Sequence, residues 1–168
     1  STPKPSSAAS DVYKRQADNA AAIRGRGRAG VGVNCTLIIR IGESAMVRLW
    51  LLLSAFAGFS GVAMGAFAAH GLKSRLSADY LAVFQTGTHY QLIHALALLG
   101  VAILALIAPG RLINLAGGFF AVGIVLFSGS LYALTLSGIA KLGIITPFGG
   151  LAFLAGWACL GVAAWRMA

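Results

Sequence analysis

Acidic side chains are scarce in this chain: four Asp and Glu stand among 168 residues, against thirteen Lys and Arg. Only 10% of the residues are charged and 58% are hydrophobic, where a soluble domain carries about 25% charged residues. That balance excludes an ordinary soluble enzyme, an acidic disordered chain and a collagen-like polymer. Cysteine is nearly as scarce. Cys35 and Cys159 lie far apart and form no CxxC pair, so neither a disulfide framework nor a structural zinc site is indicated. The GxSxG and HExxH signatures and the GxxxxGK[S/T] phosphate loop are missing too. No catalytic residue, metal ligand set or cofactor is assigned, and no enzyme is expected. What the chain has in abundance is apolar length, with a mean hydropathy of +0.84.

The charges divide the sequence at Met46. Seven of the thirteen Lys and Arg precede it, as do Asp11, Asp18 and Glu43. Residues 1–45 are rich in Ser, Pro, Ala, Gly and Arg, lack helical or strand periodicity, and are expected to be disordered. Met46 is the first methionine and stands just before the first long apolar run. It is read as the natural start, with residues 1–45 a non-native remnant or upstream translation. The segment from Asp11 to Gln16 resembles an assembly or linker scar. Two other readings compete. Arg24-Gly25-Arg26-Gly27-Arg28 resembles an RNA-binding arm, but has little aromatic interleaving for stacking bases. An Arg- and Ala-rich start resembles a mitochondrial transit peptide, but such peptides are poor in acids.

From Met46 onward four charge-free runs follow, 49–72, 80–110, 112–140 and 142–165. A hydrocarbon core about 30 Å thick takes about 20 helical residues, so each run crosses once and none crosses twice. The expected fold is all-α, an integral membrane four-helix bundle over residues 46–168, with helices at about 49–69, 87–108, 112–137 and 147–165. Helix one should end at His70-Gly71, Ser77 should cap the approach to helix two, which turns inward near Gly87, and Thr146 should cap helix four ahead of Pro147. Helix one is read as a retained helix, not a cleaved signal peptide, since three more spans follow. Arg48, Arg111 and Arg166 then share one side, and Lys73, Arg75 and Lys141 the other. For a product beginning at Met46 the balance is even; the charges before Met46 tip it, placing both termini in the cytoplasm, with dual topology as the alternative.

Two groups of residues stand out within the spans. Ala57, Gly61, Gly65 and Ala69 recur every four residues in helix one, a small-residue stripe for close helix packing; Gly149 and Gly150 are assigned the same role in helix four. Polar residues concentrate on helix two, where Thr86, Tyr90 and His94 share a face with Gln91 beside them, while helix three offers Ser128 and Tyr132. With His70, these seven form the candidate polar cluster. Polar groups at membrane depth bond neighbouring helices or mark a site. His94 should therefore point into the bundle, neutral, with at least one protein partner or a trapped water, and Ser128 and Tyr132 are the candidate partners on helix three. His70 and His94 are the pair available to a haem, but their different depths argue against one.

The motifs Gly65-Ala66-Phe67-Ala68-Ala69-His70-Gly71-Leu72, Phe84-Gln85-Thr86, Tyr90-Gln91-Leu92-Ile93-His94-Ala95-Leu96, Leu126-Phe127-Ser128-Gly129-Ser130-Leu131-Tyr132 and Ile145-Thr146-Pro147-Phe148-Gly149-Gly150 occur in this order, with Gly156-Trp157 after them. They resemble the bacterial inner-membrane family known as domain of unknown function 423, and more distantly a small mitochondrial transmembrane family of animals. His89 departs from the family pattern. The resemblance implies a four-helix integral membrane protein without an assigned activity. The expected place is the bacterial plasma (inner) membrane, multi-pass, with the mitochondrial inner membrane as the alternative. A non-enzymatic membrane component or accessory subunit is expected; the alternative is a small transporter or a haem- or quinone-handling protein using His70 and His94. The partner classes are the lipid bilayer, a second copy of the chain as a homo-oligomer, or another membrane protein; nucleic acid is not among them.

Overall fold

The computed structural model describes residues 14–15 and 45–167. The expectations for residues 1–44 fall outside these, apart from Lys14 and Arg15. Helix α1 (Ala45–Phe67) continues through a π-helical turn, Ala68–Leu72; α2 spans Ala78–Ile107. The chain returns through α3 (Arg111–Gly123), a second π-helical turn (Ile124–Ser128) and α4 (Gly129–Ser137), then through a 3-10 turn (Ala140–Ile144) into α5 (Thr146–Trp165). Together they make four spans long and apolar enough to cross a membrane, Ala45–Leu72, Ala78–Ile107, Arg111–Ser137 and Ala140–Trp165. The fold is an all-α membrane bundle, with no strand among the described residues.

Local chemistry sets the ends. Ser77 is extended (φ −62°, ψ 158°) and its hydroxyl accepts the Tyr80 N–H at 3.3 Å, while Asp79 sits in the first turn of α2. Gly138 ends α4 with φ 72°, a left-handed value that a side chain would strain, and its N–H returns to the Leu134 carbonyl at 2.9 Å. Three boundaries differ from expectation. The first span does not stop at His70-Gly71, because the π turn carries its hydrogen bonding on to Leu72. The second span is one helix from Ala78, and Gly87 marks a close contact with Tyr132 and Leu131, not a bend. Thr146 is not the cap of α5: Ile145 holds that position, and the Thr146 hydroxyl lies 2.8 Å from that of Ser130.

The second span is central. Phe84, Thr88, Gln91, Ala95, Leu98, Ala102 and Ala105 are buried along it at alternating steps of four and three, the seam of a left-handed helix pair. Gly87, His94 and Val101 form a flanking row seven residues apart, also buried. The first span packs on the second and the fourth on the third, and contacts between the second and third join the two pairs. Two apolar clusters result. Val47, Trp50, Leu98, Val101, Ile113, Ala116 and Phe120 belong to one; Ala68, Leu72 and Phe84 make the other. Along α2 the buried polar residues lie between them.

The third and fourth spans are joined by an aromatic–glycine register. A Cβ on Gly156 would meet the Phe120 ring at 2.5 Å, one on Gly123 would strike the Phe153 ring, and one on Gly149 would fall 2.7 Å from the Cα of Phe127. The residue numbers fall on one span as they rise on the other, so this is a single antiparallel interlock. In lipid, where apolar surface gains nothing by leaving the solvent, such close packing is what holds helices together. Gly149 thus stands inside the interlock. Gly150 does not, since its nearest neighbour, the Phe127 ring, is 4.0 Å away.

Candidate functional site

Gln91 is the centre of the buried polar layer. Its Nε2 donates to the Ala57 carbonyl at 2.9 Å and to the Ser60 hydroxyl at 2.8 Å, and its Oε1 accepts the Tyr132 hydroxyl at 2.9 Å. A carbonyl can only accept, so the amide nitrogen must face Ala57, which leaves the oxygen for Tyr132. One side chain therefore ties three spans together. The Thr88 hydroxyl lies 3.3 Å from that of Tyr132 and donates to the Phe84 carbonyl at 3.3 Å. Ser60 donates to Phe56 at 2.7 Å, and Ser54 to Ala95 at 2.9 Å. Gln91 and Ser60 also line the wall of a groove of about 160 Å³ between the first and third spans.

His94 is buried and belongs to a different group. Its Nδ1 lies 2.8 Å from the Tyr90 carbonyl, and the Trp157 indole N–H donates to its Nε2 at 3.3 Å. The carbonyl requires a proton on Nδ1 and the indole requires a lone pair on Nε2, which fixes the neutral Nδ1–H tautomer. The imidazole stacks on Phe153 with centroids 3.5 Å apart, and Phe120 closes another side at 5.5 Å. Trp157, 49% exposed, is the outer wall. His94 points inward with a protein partner on each nitrogen, but the partners are Tyr90 and Trp157 and not Ser128 and Tyr132. The aromatic register of the third and fourth spans brings α5 against this face of α2.

The remaining expectations separate. Thr86 is exposed and its hydroxyl returns to the Ala82 carbonyl at 2.9 Å, so it joins neither group. Tyr90 contributes its carbonyl, while its ring packs on Phe127 at 4.5 Å. Ser128 is fully buried, and its hydroxyl has no hydrogen-bond partner among the described residues. His70 is exposed on the first π turn and is not brought to His94. Among the described residues no group of three His, Cys, Asp or Glu is placed to hold a metal ion.

In the small-residue stripe, Ala57 and Gly61 are buried, and a Cβ on Gly61 would meet Leu92 at 2.8 Å. Gly65 faces Thr88 at 3.4 Å, whereas Ala69 is exposed and Ala68 is buried in its place. A four-residue repeat drifts about 40° per step around an α-helix, which carries the last member of the stripe off the packing face. Thr88, Ser60, Phe153 and Trp157 lie outside the cluster expected from the sequence, although Thr88 stands in the polar stretch of helix two and Trp157 in the family motif. Thr88 was recoverable, since it lies on the seam that runs Phe84, Thr88, Gln91, Ala95. Trp157 was not, because nothing local says which helix it faces.

The layer has the chemistry of an interhelical fastening: neutral groups, satisfied within the chain, with no acid and no paired nucleophile and base. Comparison with known proteins agrees with a family lacking an assigned activity. Residues 64–150 match the family model described as "Protein of unknown function (DUF423)". The chain is 44% identical over 124 residues to the UPF0382 inner membrane protein YgdD of Escherichia coli strain K12, covering 71% of this chain and 92% of that protein. It is 44% identical over 119 residues to the UPF0382 membrane protein YwdK of Bacillus subtilis strain 168, covering 70% and 97%. It is 41% identical over 122 residues to the UPF0382 membrane protein SAB0533 of Staphylococcus aureus, covering 73% and 99%. No solved structure matches the chain. With that family model over half of its length, and with relatives matched nearly end to end and named as bacterial membrane or inner membrane proteins, the chain belongs to the DUF423 family of multi-pass proteins of the bacterial plasma membrane.

Proposed function

We propose that the protein is a non-catalytic membrane component, an accessory subunit that works through its lipid-facing surface on another membrane protein or on a second copy of itself. One observation supports this above the others: Gln91 and His94, the two side chains at the centre best suited to hold a ligand, are already engaged within the chain. Both protons of the Gln91 amide and both ring nitrogens of His94 have partners, so neither can take a ligand without breaking a bond. A transporter or a haem- or quinone-handling protein built on His70 and His94 would need the two histidines together and His94 open. Cross-linking in native membranes, followed by mass spectrometry of the purified full chain, tests the reading. The expected result is a membrane-protein or homo-oligomeric adduct at fixed stoichiometry, with no small molecule whose retention depends on His94. A chromophore or solute bound one per chain and lost in H94L overturns it.

A further inference from the structure

A groove of about 570 Å³ opens on the lipid-facing side between the first and third spans. One wall is a single face of α3: Arg111, Asn114, Leu115, Gly118, Phe119 and Val122, at the i, i+3, i+4, i+7 spacing of one helix stripe. The opposite wall is Met46 and Trp50 of α1. The stripe is ordered, with polar groups at the membrane end of α3 and apolar ones deeper. From Arg111 to Val122 the helix rises about 16 Å, close to half of a hydrocarbon core about 30 Å thick. The groove thus runs from the interface to the bilayer centre, the depth of one leaflet, with its polar end where a headgroup lies.

The polar end is built to donate. The Trp50 indole N–H donates to Asn114 Oδ1 at 2.9 Å, which leaves the amide NH₂ of Asn114 as a donor with no partner among the described residues. Arg111 is exposed, and in residues 45–167 the only carboxylate side chain is that of Asp79, at the start of α2 and the other end of the bundle. Arg111 also lines an adjoining groove with Arg166. A guanidinium binds a phosphate diester through two parallel N–H donors, and a second arginine nearby opposes the cationic end of a zwitterionic headgroup. Lower down, Gly118 leaves open space, with no atom within 4 Å of where its Cβ would stand.

We propose that this groove is a binding site for one anionic phospholipid, with the phosphate on Arg111 and Asn114 and an acyl chain laid over Gly118 toward Val122. Acyl chains fill any lipid-facing groove, so selectivity comes from the charged end. A second copy in the groove would bring its own arginine to the same cationic mouth, since a two-fold contact pairs like with like.

The test is thermal unfolding and native mass spectrometry of the full chain, delipidated and then supplied with phosphatidylglycerol or phosphatidylcholine. Phosphatidylglycerol should bind preferentially and raise Tm further. R111Q should weaken that preference by roughly five- to tenfold, the effect of one arginine at a lipid headgroup. R48Q, which removes an exposed charge at the same end of the bundle but outside the groove, should leave the preference intact. G118L should abolish the bound lipid while keeping the wild-type circular dichroism and the wild-type Tm in phosphatidylcholine. Equal preference in wild type and R111Q, equal loss in R48Q, or retention of the lipid by G118L would each overturn the site. So would a dimer that G118L disperses without any lipid preference.

Discussion

At the scale of single residues, Gln91 and Ser128 show two fates of a polar group in a hydrocarbon setting. An unsatisfied donor or acceptor there costs several kcal/mol, and Gln91 escapes that cost through partners on two other helices. Changing Gln91 to Leu leaves the Tyr132 hydroxyl only its longer contact with Thr88, and changing Tyr132 to Phe strands Gln91 Oε1. The double-mutant cycle of Q91L and Y132F, read by unfolding in mild detergent, should give a favourable coupling of about 0.6 kcal/mol and no more than about 1.7; zero coupling would remove Gln91 from the centre of the layer. Ser128 has the opposite arrangement, a fully buried hydroxyl without a partner among the described residues. S128A deletes a group that contributes no bond, so stability should hold or rise by up to about 1 kcal/mol. A lowered Tm in S128A would mean that the hydroxyl has a partner after all, such as an enclosed water.

At the scale of elements, the interlock of the third and fourth spans makes a sharper statement about stability than any hydrogen bond. In G149A the new methyl would fall on the Phe127 backbone, at 2.7 Å from its Cα, and backbone yields only if the spans move apart. The expected cost is about 1–3 kcal/mol, seen as a fall in Tm. G58A is the control. Its Cβ meets nothing within 4 Å, so it should be neutral or stabilise by up to about 1 kcal/mol through helix propensity. Equal effects of the two would mean that the interlock is not what holds the spans together. The spans themselves were legible in the sequence, because apolar length against bilayer thickness is a local comparison. The interlock was not, since pairing Phe120 with Gly156 requires a register between helices that no single helix encodes. The same gap explains why Thr86 was preferred to Thr88: both are hydroxyls on α2, and only the position of the first span decides which is buried. The π turns at Ala68–Leu72 and Ile124–Ser128 were also illegible, for apolar periodicity and capping residues do not mark a π turn inside a continuous apolar run.

At the scale of the whole molecule, four spans put the start of the first and the end of the fourth on one side of the membrane, and charge must choose which side. Arg48, Arg111 and Arg166 stand at that end, against Lys73, Arg75 and Lys141 at the other. The positive-inside rule counts Lys and Arg near the span ends and nearly ignores acids, so Asp79 does not break this tie. In the full sequence Arg26, Arg28 and Arg40 stand within about 20 residues of the first span, inside the distance over which such charges act. The full chain should therefore insert with both ends in the cytoplasm, whereas a chain beginning at Met46 has no charge bias and should insert both ways. Paired reporters fused after Met167, one active only in the cytoplasm and one only outside, distinguish these outcomes. The full chain should light the cytoplasmic reporter alone, and the shorter chain should light both. Adding the change R48Q to the shorter chain should shift it toward the outward orientation, because removing one charge from a balanced set leaves the loops carrying Lys73, Arg75 and Lys141 as the more positive side. If the shorter chain keeps one orientation and R48Q does not disturb it, something other than the count of basic residues sets the topology.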